Sequence, residues 1–215
     1  MSTSLTDATL THAVTALTDR DPLLARLLTA LGPPPLWARE PGFPTLLHII
    51  LEQQVSLASA RAAFDKLSAL AAPLTPERFL ALDDASLKAA GFSRQKTGYG
   101  RNLAQAILSG SLDLARVAAA DDDVARAELI QVKGIGRWTA DIYLLMALGR
   151  PDVWPSGDLA LAVAAQRALG LPALPKSDAL DAIAAAWRPW RAVAARLLWH
   201  FYLSGKQSVF TSPVP

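Results

Sequence analysis

The 215-residue chain is 52% hydrophobic and has no cysteine. It can bury a sizeable core, and it has no means of building a disulfide framework, an iron–sulfur cluster or a thiolate zinc site. A net charge of +2 and a sequence pI near 9.1 are weakly basic, which admits a nucleic-acid partner without demanding one. No apolar run reaches the roughly 18 residues of a membrane span, and the N-terminal residues have no basic region followed by a long apolar one, so a cytoplasmic protein with no membrane partner is expected.

Alanine and leucine dominate, and apolar residues recur at three–four spacing, so almost every segment reads as helix and an all-α protein of about ten helices is expected. The first forty residues are helical, with Asp21-Pro22 as a cap followed by a first-turn proline. Gly32 followed by three prolines is a stop. Pro44 opens a helix to 51, Ser56 caps one to about 70, and Thr75-Pro76-Glu77 repeats the cap-then-proline signal. Gly91 ends the helix containing Leu87, and the next covers 95–108 and closes at Gly110. Asp122 or Asp123 caps a short helix to 129; a glycine-rich turn at 131–136 leads into a strongly apolar helix over 137–148. After a loop with two prolines, helices are expected from 158 to 170, over 177–187 and over 189–203. Arg94, Lys96 and Arg101 fall close together, as do Arg188, Arg191 and Arg196, so local basic patches are expected where the total charge shows little.

Two stretches carry candidate chemistry. In Leu129-Ile130-Gln131-Val132-Lys133-Gly134-Ile135-Gly136-Arg137-Trp138-Thr139-Ala140, a short helix meets a longer one through a Gly-x-Gly turn. Glycines let the backbone turn sharply and approach a ligand, and the unpaired N–H groups of the following helix, with its dipole, suit a phosphate. Ile135 at the tip would plug into the helices and stiffen the turn. The same glycines also suit an ordinary helical corner. In Trp154-Pro155-Ser156-Gly157-Asp158-Leu159-Ala160, a loop delivers Asp158 to a helix start. On these residues alone, Asp158 is either an N-cap or a functional carboxylate, and it can be both.

The hairpin pattern resembles the helix-hairpin-helix motif of the base-excision DNA glycosylases. The register from Gly134-Ile135-Gly136-Arg137-Trp138-Thr139-Ala140 to Asp158, nineteen residues beyond Thr139, is similar to the AlkA/Mag type, 3-methyladenine DNA glycosylase II. The resemblance covers about 44–205. It implies a helix-hairpin-helix glycosylase fold: one unit over 1–215, made of two helical lobes with the active-site cleft between them. Lobe a would run over about 45–150, ending in the helix-hairpin-helix of 123–148, and lobe b over about 1–44 plus 151–215.

The resemblance also implies roles. Gly134 and Gly136 (through their N–H groups), the Thr139 hydroxyl and Arg137 would meet DNA phosphates. The carbonyls of Ile130, Val132 and Ile135 would hold a sodium or potassium ion. Asp158 would be the catalytic carboxylate, and Trp138, Phe201, Ile142 and Trp154 would line the base pocket. Gln54, with Gln53, would be the wedge that fills the gap left by a flipped base. Phe201 stands where that type has Trp and Ile142 where it has Tyr, which implies a roomier, less aromatic pocket; Gln54 stands where it has Leu, and its amide could bond the orphaned partner base. For each aromatic, core packing is the alternative.

The implied activity is excision of an alkylated purine from double-stranded DNA by a monomer that needs no catalytic cofactor. Breaking the N-glycosidic bond develops positive charge on the sugar, which one fixed anion can stabilise. A base that is already cationic leaves without a general acid. Trp138 stands where lyase-active relatives carry a Schiff-base lysine, so an abasic site without strand cleavage is expected. Three other readings remain: a non-catalytic hairpin module that binds DNA, a bifunctional glycosylase-lyase, and a helical interaction protein without a DNA role.

Overall fold

Short polar side chains just before apolar-periodic runs fix most helix starts. Thr6, Asp21, Ser56, Thr75, Asp83, Ser93, Asp113 and Asp158 each accept a backbone N–H from the first turn that follows. The structure, a computed structural model, describes residues 4–206. Among these there are thirteen α-helices and no strand: α1 (Asp7–Thr18), α2 (Pro22–Leu31), α3 (Phe43–Glu52), α4 (Leu57–Leu70), α5 (Pro76–Ala81), α6 (Asp84–Ala89), α7 (Arg94–Leu108), α8 (Leu114–Ala119), α9 (Asp122–Leu129), α10 (Arg137–Met146), α11 (Leu159–Leu169), α12 (Ser177–Ala184) and α13 (Arg191–Leu203). A 3-10 turn, Ala185–Trp187, follows α12. No described helix is long and apolar enough to cross a membrane.

Three local expectations shift. Helix α8 is additional: it buries only Val117, too little for a periodic signal, and it forms because the Asp113 carboxylate caps both Ala115 and Arg116. The cap position of α9 falls on Asp121 rather than Asp122 or Asp123, and Asp123 instead pairs with Arg126. The last helix begins at Arg191, two residues later than expected, with Trp190 at φ −120° as its non-helical cap.

The chain divides into two units. One is Arg39–Leu148, and the other joins the segment up to Ala38 with that from Gly149 onward. These boundaries lie six and two residues before the expected 44/45 and 150/151. In Arg39–Leu148, Leu46, Leu47, Ile49, Ile50, Phe79, Leu103, Leu129 and Leu144 are all fully buried. Gly100 lets α7 pass against Phe79, since a Cβ there would sit 2.6 Å from the ring tip. The other unit is built around α13, whose residues from Ala192 to Leu198 are all buried.

The expected basic patches are largely drawn inward. Arg101 donates to the carbonyls of Leu80 and Leu82 and pairs with Asp84. Lys96 donates to the carbonyl of Leu51. Arg191 chelates Asp152. Arg196, 1% exposed, donates to the carbonyls of Leu36 and Ala192, and burial pulls its guanidinium down to about 10, still charged at neutral pH.

Asp21 joins two distant parts of its unit. Its Oδ1 caps α2, and its Oδ2 accepts the indole N–H of Trp187, 2% exposed, at 2.7 Å. Asp21→Ala removes the cap and leaves a buried donor unpaired, so urea unfolding should show a loss of about 2–4 kcal/mol. Asp21→Asn keeps the capping oxygen but turns its NH2 toward the indole N–H, so it should restore only the cap's share of that loss.

Candidate functional site

The Gly-x-Gly turn between α9 and α10 is held from behind. At φ +108°, Gly134 takes a conformation that L side chains rarely adopt, and a Cβ there would collide with the ring of Tyr99 on α7. Asn102, one turn further along α7, donates to the Lys133 carbonyl at 3.3 Å. The Gln53 amide donates to the Gly134 carbonyl and to Thr139 Oγ1, both at 2.9 Å. The Ile135 N–H closes the turn on the Val132 carbonyl at 2.9 Å, and both side chains are buried, so Ile135 is the expected plug.

A trans peptide aims an N–H opposite to the preceding C=O. With the Lys133 carbonyl drawn toward α7, the Gly134 N–H points away from it. Gly136, the cap residue of α10, offers no side chain to its first turn and has open space where a Cβ would stand. Arg137 is exposed beside it, its Nε 3.6 Å from Asp141. The exposed face of the turn thus combines glycine backbone with the side chains of Gln131, Lys133 and Arg137.

A buried ion pair fastens the two hairpin helices. Asp141 on α10 is fully buried, and Arg126 on α9 reaches it at 2.6 Å. Burial works against the Arg126 charge, but its bonds to Asp141 and Asp123 outweigh that and hold it above the ordinary arginine range.

Two expected placements change here. The Thr139 hydroxyl, expected to face phosphate, is in the interior: Thr139 is 1% exposed and its oxygen accepts from Gln53. Gln53, expected as part of the wedge, is committed to the hairpin. Gln54 does stand outward, exposed and left-handed at φ +56°, a conformation that costs about 1 kcal/mol or more in a residue other than glycine.

Asp158 lies in the other unit. It is the N-cap of α11, 9% exposed, and its Oδ1 accepts both the Leu161 N–H at 2.8 Å and the indole N–H of Trp199 at 3.2 Å. The loop before it is pinned twice more. Asp152 takes two guanidinium bonds from Arg191, each 3.0 Å. Asp181 on α12 accepts from Trp154 Nε1 at 3.0 Å and from the Ser156 hydroxyl at 2.7 Å. Trp154 is therefore an anchor packed on Trp187, 5.6 Å between ring centres, where a pocket wall was expected. Phe201 is fully buried on α13, Ile142 is 2% exposed on α10, and Trp138 is half-buried on the first turn of α10.

Sequence reasoning did not find Trp199, Asp181, Tyr99 or Asn102. Each acts through a partner far along the chain, and only the geometry brings the pairs together. Among the described residues no group of three or more His, Asp or Glu could hold a metal ion.

Residues 47–190 match the family described as HhH-GPD superfamily base excision DNA repair protein. DNA-3-methyladenine glycosylase 1 of Schizosaccharomyces pombe is 28% identical over 215 residues, covering 95% of this chain and 92% of its own length. DNA-3-methyladenine glycosylase 2 of Escherichia coli is 32% identical over 127 residues, 59% of this chain and 42% of that protein. The chain spans less than half the length of several such bacterial relatives. Among solved structures, the Schizosaccharomyces pombe 3-methyladenine DNA glycosylase in complex with abasic DNA has a TM-score of 0.84 at 25% identity, covering 94% of this chain and 100% of that one. A Bacillus halodurans DNA-3-methyladenine glycosidase has a TM-score of 0.74 at 28% identity, covering 97% of each chain.

Gly134→Ala meets both the left-handed backbone and the Tyr99 ring, so it should lower stability by about 2 kcal/mol in a urea melt. A Tyr99→Ala background relieves only the collision, so the Gly134→Ala cost should shrink there without vanishing.

Proposed function

The chain belongs to the HhH-GPD superfamily of base excision DNA repair proteins, and on that premise we propose that it is a monofunctional DNA glycosylase. In this reading it extrudes an alkylated purine from duplex DNA and hydrolyses its N-glycosidic bond, leaving an abasic site. The observation that carries the proposal is the Asp158 carboxylate. It is nearly buried, fixed on one oxygen by two donors, and presented by a loop anchored at Asp152, Trp154 and Ser156.

A carboxylate held this way needs little rearrangement to face a developing positive charge, so it stabilises the oxocarbenium-like sugar as the base departs. The same group can orient or deprotonate the attacking water. A purine alkylated at N3 or N7 is cationic and leaves without a protein acid. The half-buried Trp138 stands at the lyase lysine's position and has no amine, so no Schiff base forms there and the strand stays intact. An aromatic face also attracts a cationic base.

Binding falls to the other unit. Glycine backbone at 134 and 136, with Arg137, meets phosphates and reads no sequence, as suits an enzyme that scans any duplex. The carbonyls of Ile130, Val132 and Ile135 are the oxygens that would hold a monovalent cation beside those phosphates. Gln54 fills the space vacated by the extruded base, where its amide can bond the orphaned partner. The protein works as a monomer in the cytoplasm, on the DNA there.

Incubation with methylated duplex DNA should release 3-methyladenine, with strands breaking only after later alkali. Breakage without alkali would point to a lyase. Asp158→Asn keeps an oxygen for the α11 cap and should bind DNA normally, yet release no base. Trp199→Phe removes one donor to Asp158 while keeping an aromatic ring and should slow single-turnover release by about tenfold, the loss of one hydrogen bond to a charged group.

A further inference from the structure

We propose that Gln53 is a positioning residue that couples the phosphate-facing hairpin to the exposed turn between α3 and α4, so that seating the one sets the other. The proposal rests on the glycosylase reading above and gives Gln53 a role different from that of a wedge.

The amide of Gln53 has two protons, and both are used. One goes to the Gly134 carbonyl and one to Thr139 Oγ1, each at 2.9 Å. Those acceptors lie on either side of the Ile135–Gly136 turn, one before it and one in the first turn of α10. A single side chain thereby staples the two limbs of the hairpin together. A solvated amide at a helix end would have no such pair of fixed partners, and an amide engaged this way is not available to enter a base stack.

On its backbone side, Gln53 is the C-cap of α3, at φ −60° and ψ 121°. The next residue is Gln54, held left-handed at φ +56°. Beyond it Val55 is 47% exposed and Leu57 60% exposed, and Ser56 caps α4 through Ser59 N–H. A left-handed residue other than glycine persists only where its neighbours fix it. Here the neighbours are the Ser56 cap on one side and Gln53, anchored in the hairpin, on the other. Lys96, donating to the Leu51 carbonyl at 2.7 Å, steadies the end of α3 as well. Any shift of the Gly134 carbonyl is therefore passed through one side chain to the backbone that aims Gln54.

Only an N–H donor of this length completes the staple. Gln53→Glu keeps the shape but sets carboxylate oxygens against the Gly134 carbonyl, and Gln53→Ala removes the link. The test uses the full chain and reads three quantities: affinity for undamaged duplex, single-turnover release of 3-methyladenine at saturating methylated DNA, and hydrogen exchange of the free protein by mass spectrometry. Both variants should bind undamaged duplex about tenfold more weakly, a loss of about one hydrogen bond. They should also release base about tenfold more slowly at saturation, and exchange faster over 53–58 and 132–139 together. The rate cost of Gln54→Ala should shrink in the Gln53→Ala background, because two residues acting through one element are not additive.

Weaker binding with an unchanged saturating rate would make Gln53 a hairpin buttress alone and overturn the coupling. Faster exchange confined to 132–139, or additive costs for Gln53 and Gln54, would overturn it too. If the wild type releases no base, the glycosylase reading fails by itself, and the exchange pattern still decides whether the two segments are coupled.

Discussion

The Leu161 N–H and the Trp199 indole N–H converge on one oxygen of Asp158, and the segment before that carboxylate has its course because the same arrangement recurs along it. Asp152 is gripped by Arg191, and Asp181 grips Trp154 and Ser156. In each case a carboxylate accepts at least two donors, which fixes an orientation as well as a position. An irregular loop has no backbone ladder to hold it. Here α12 and α13 supply the ladder's equivalent in side chains, and a reactive group on a loop gains the placement that a helix would have given it.

The hairpin is built on the opposite logic. Its outer surface sets glycine backbone among the exposed side chains of Gln131, Lys133 and Arg137, and what stiffens it comes from within. The Tyr99 ring, the amides of Asn102 and Gln53 and the Arg126–Asp141 pair all approach from the protein side. Gly134 then has two reasons to be glycine: the positive φ of the turn and the closeness of that ring. Rigidity without bulk is what a peptide backbone needs if its N–H groups are to meet a polyanionic one.

Much of this was legible in the amino acids. Caps at Asp21, Ser56, Thr75 and Asp158 are local, so they read directly, and the glycine turn and its register to Asp158 are sequence patterns by nature. What was not legible is long-range pairing. Trp199 and Asp158 are 41 positions apart, and Gln53 and Gly134 are 81. Nothing local to Arg101, Arg191 or Arg196 says that they turn inward to carbonyls and Asp152 rather than outward to form a patch. Trp154 illustrates the same gap: an aromatic near a reactive loop suits a pocket wall or an anchor equally, and only Asp181 decides between them.

The division of the chain has a consequence for how the protein is made. Arg39–Leu148 is continuous, so every contact in its core is available once that stretch has left the ribosome. The other unit is closed by pairs such as Leu5 with Gly149, Arg20 with Arg188 and Lys206 with Ala30. Helices α1 and α2 must therefore wait, with Leu17, Leu24 and Leu27 uncovered, until α13 has been synthesised. Such delayed, non-local closure is slow and exposes apolar surface. The unit that houses the candidate catalytic carboxylate is the last to exist, so a chain truncated before Trp199 would carry a finished hairpin and no chemistry.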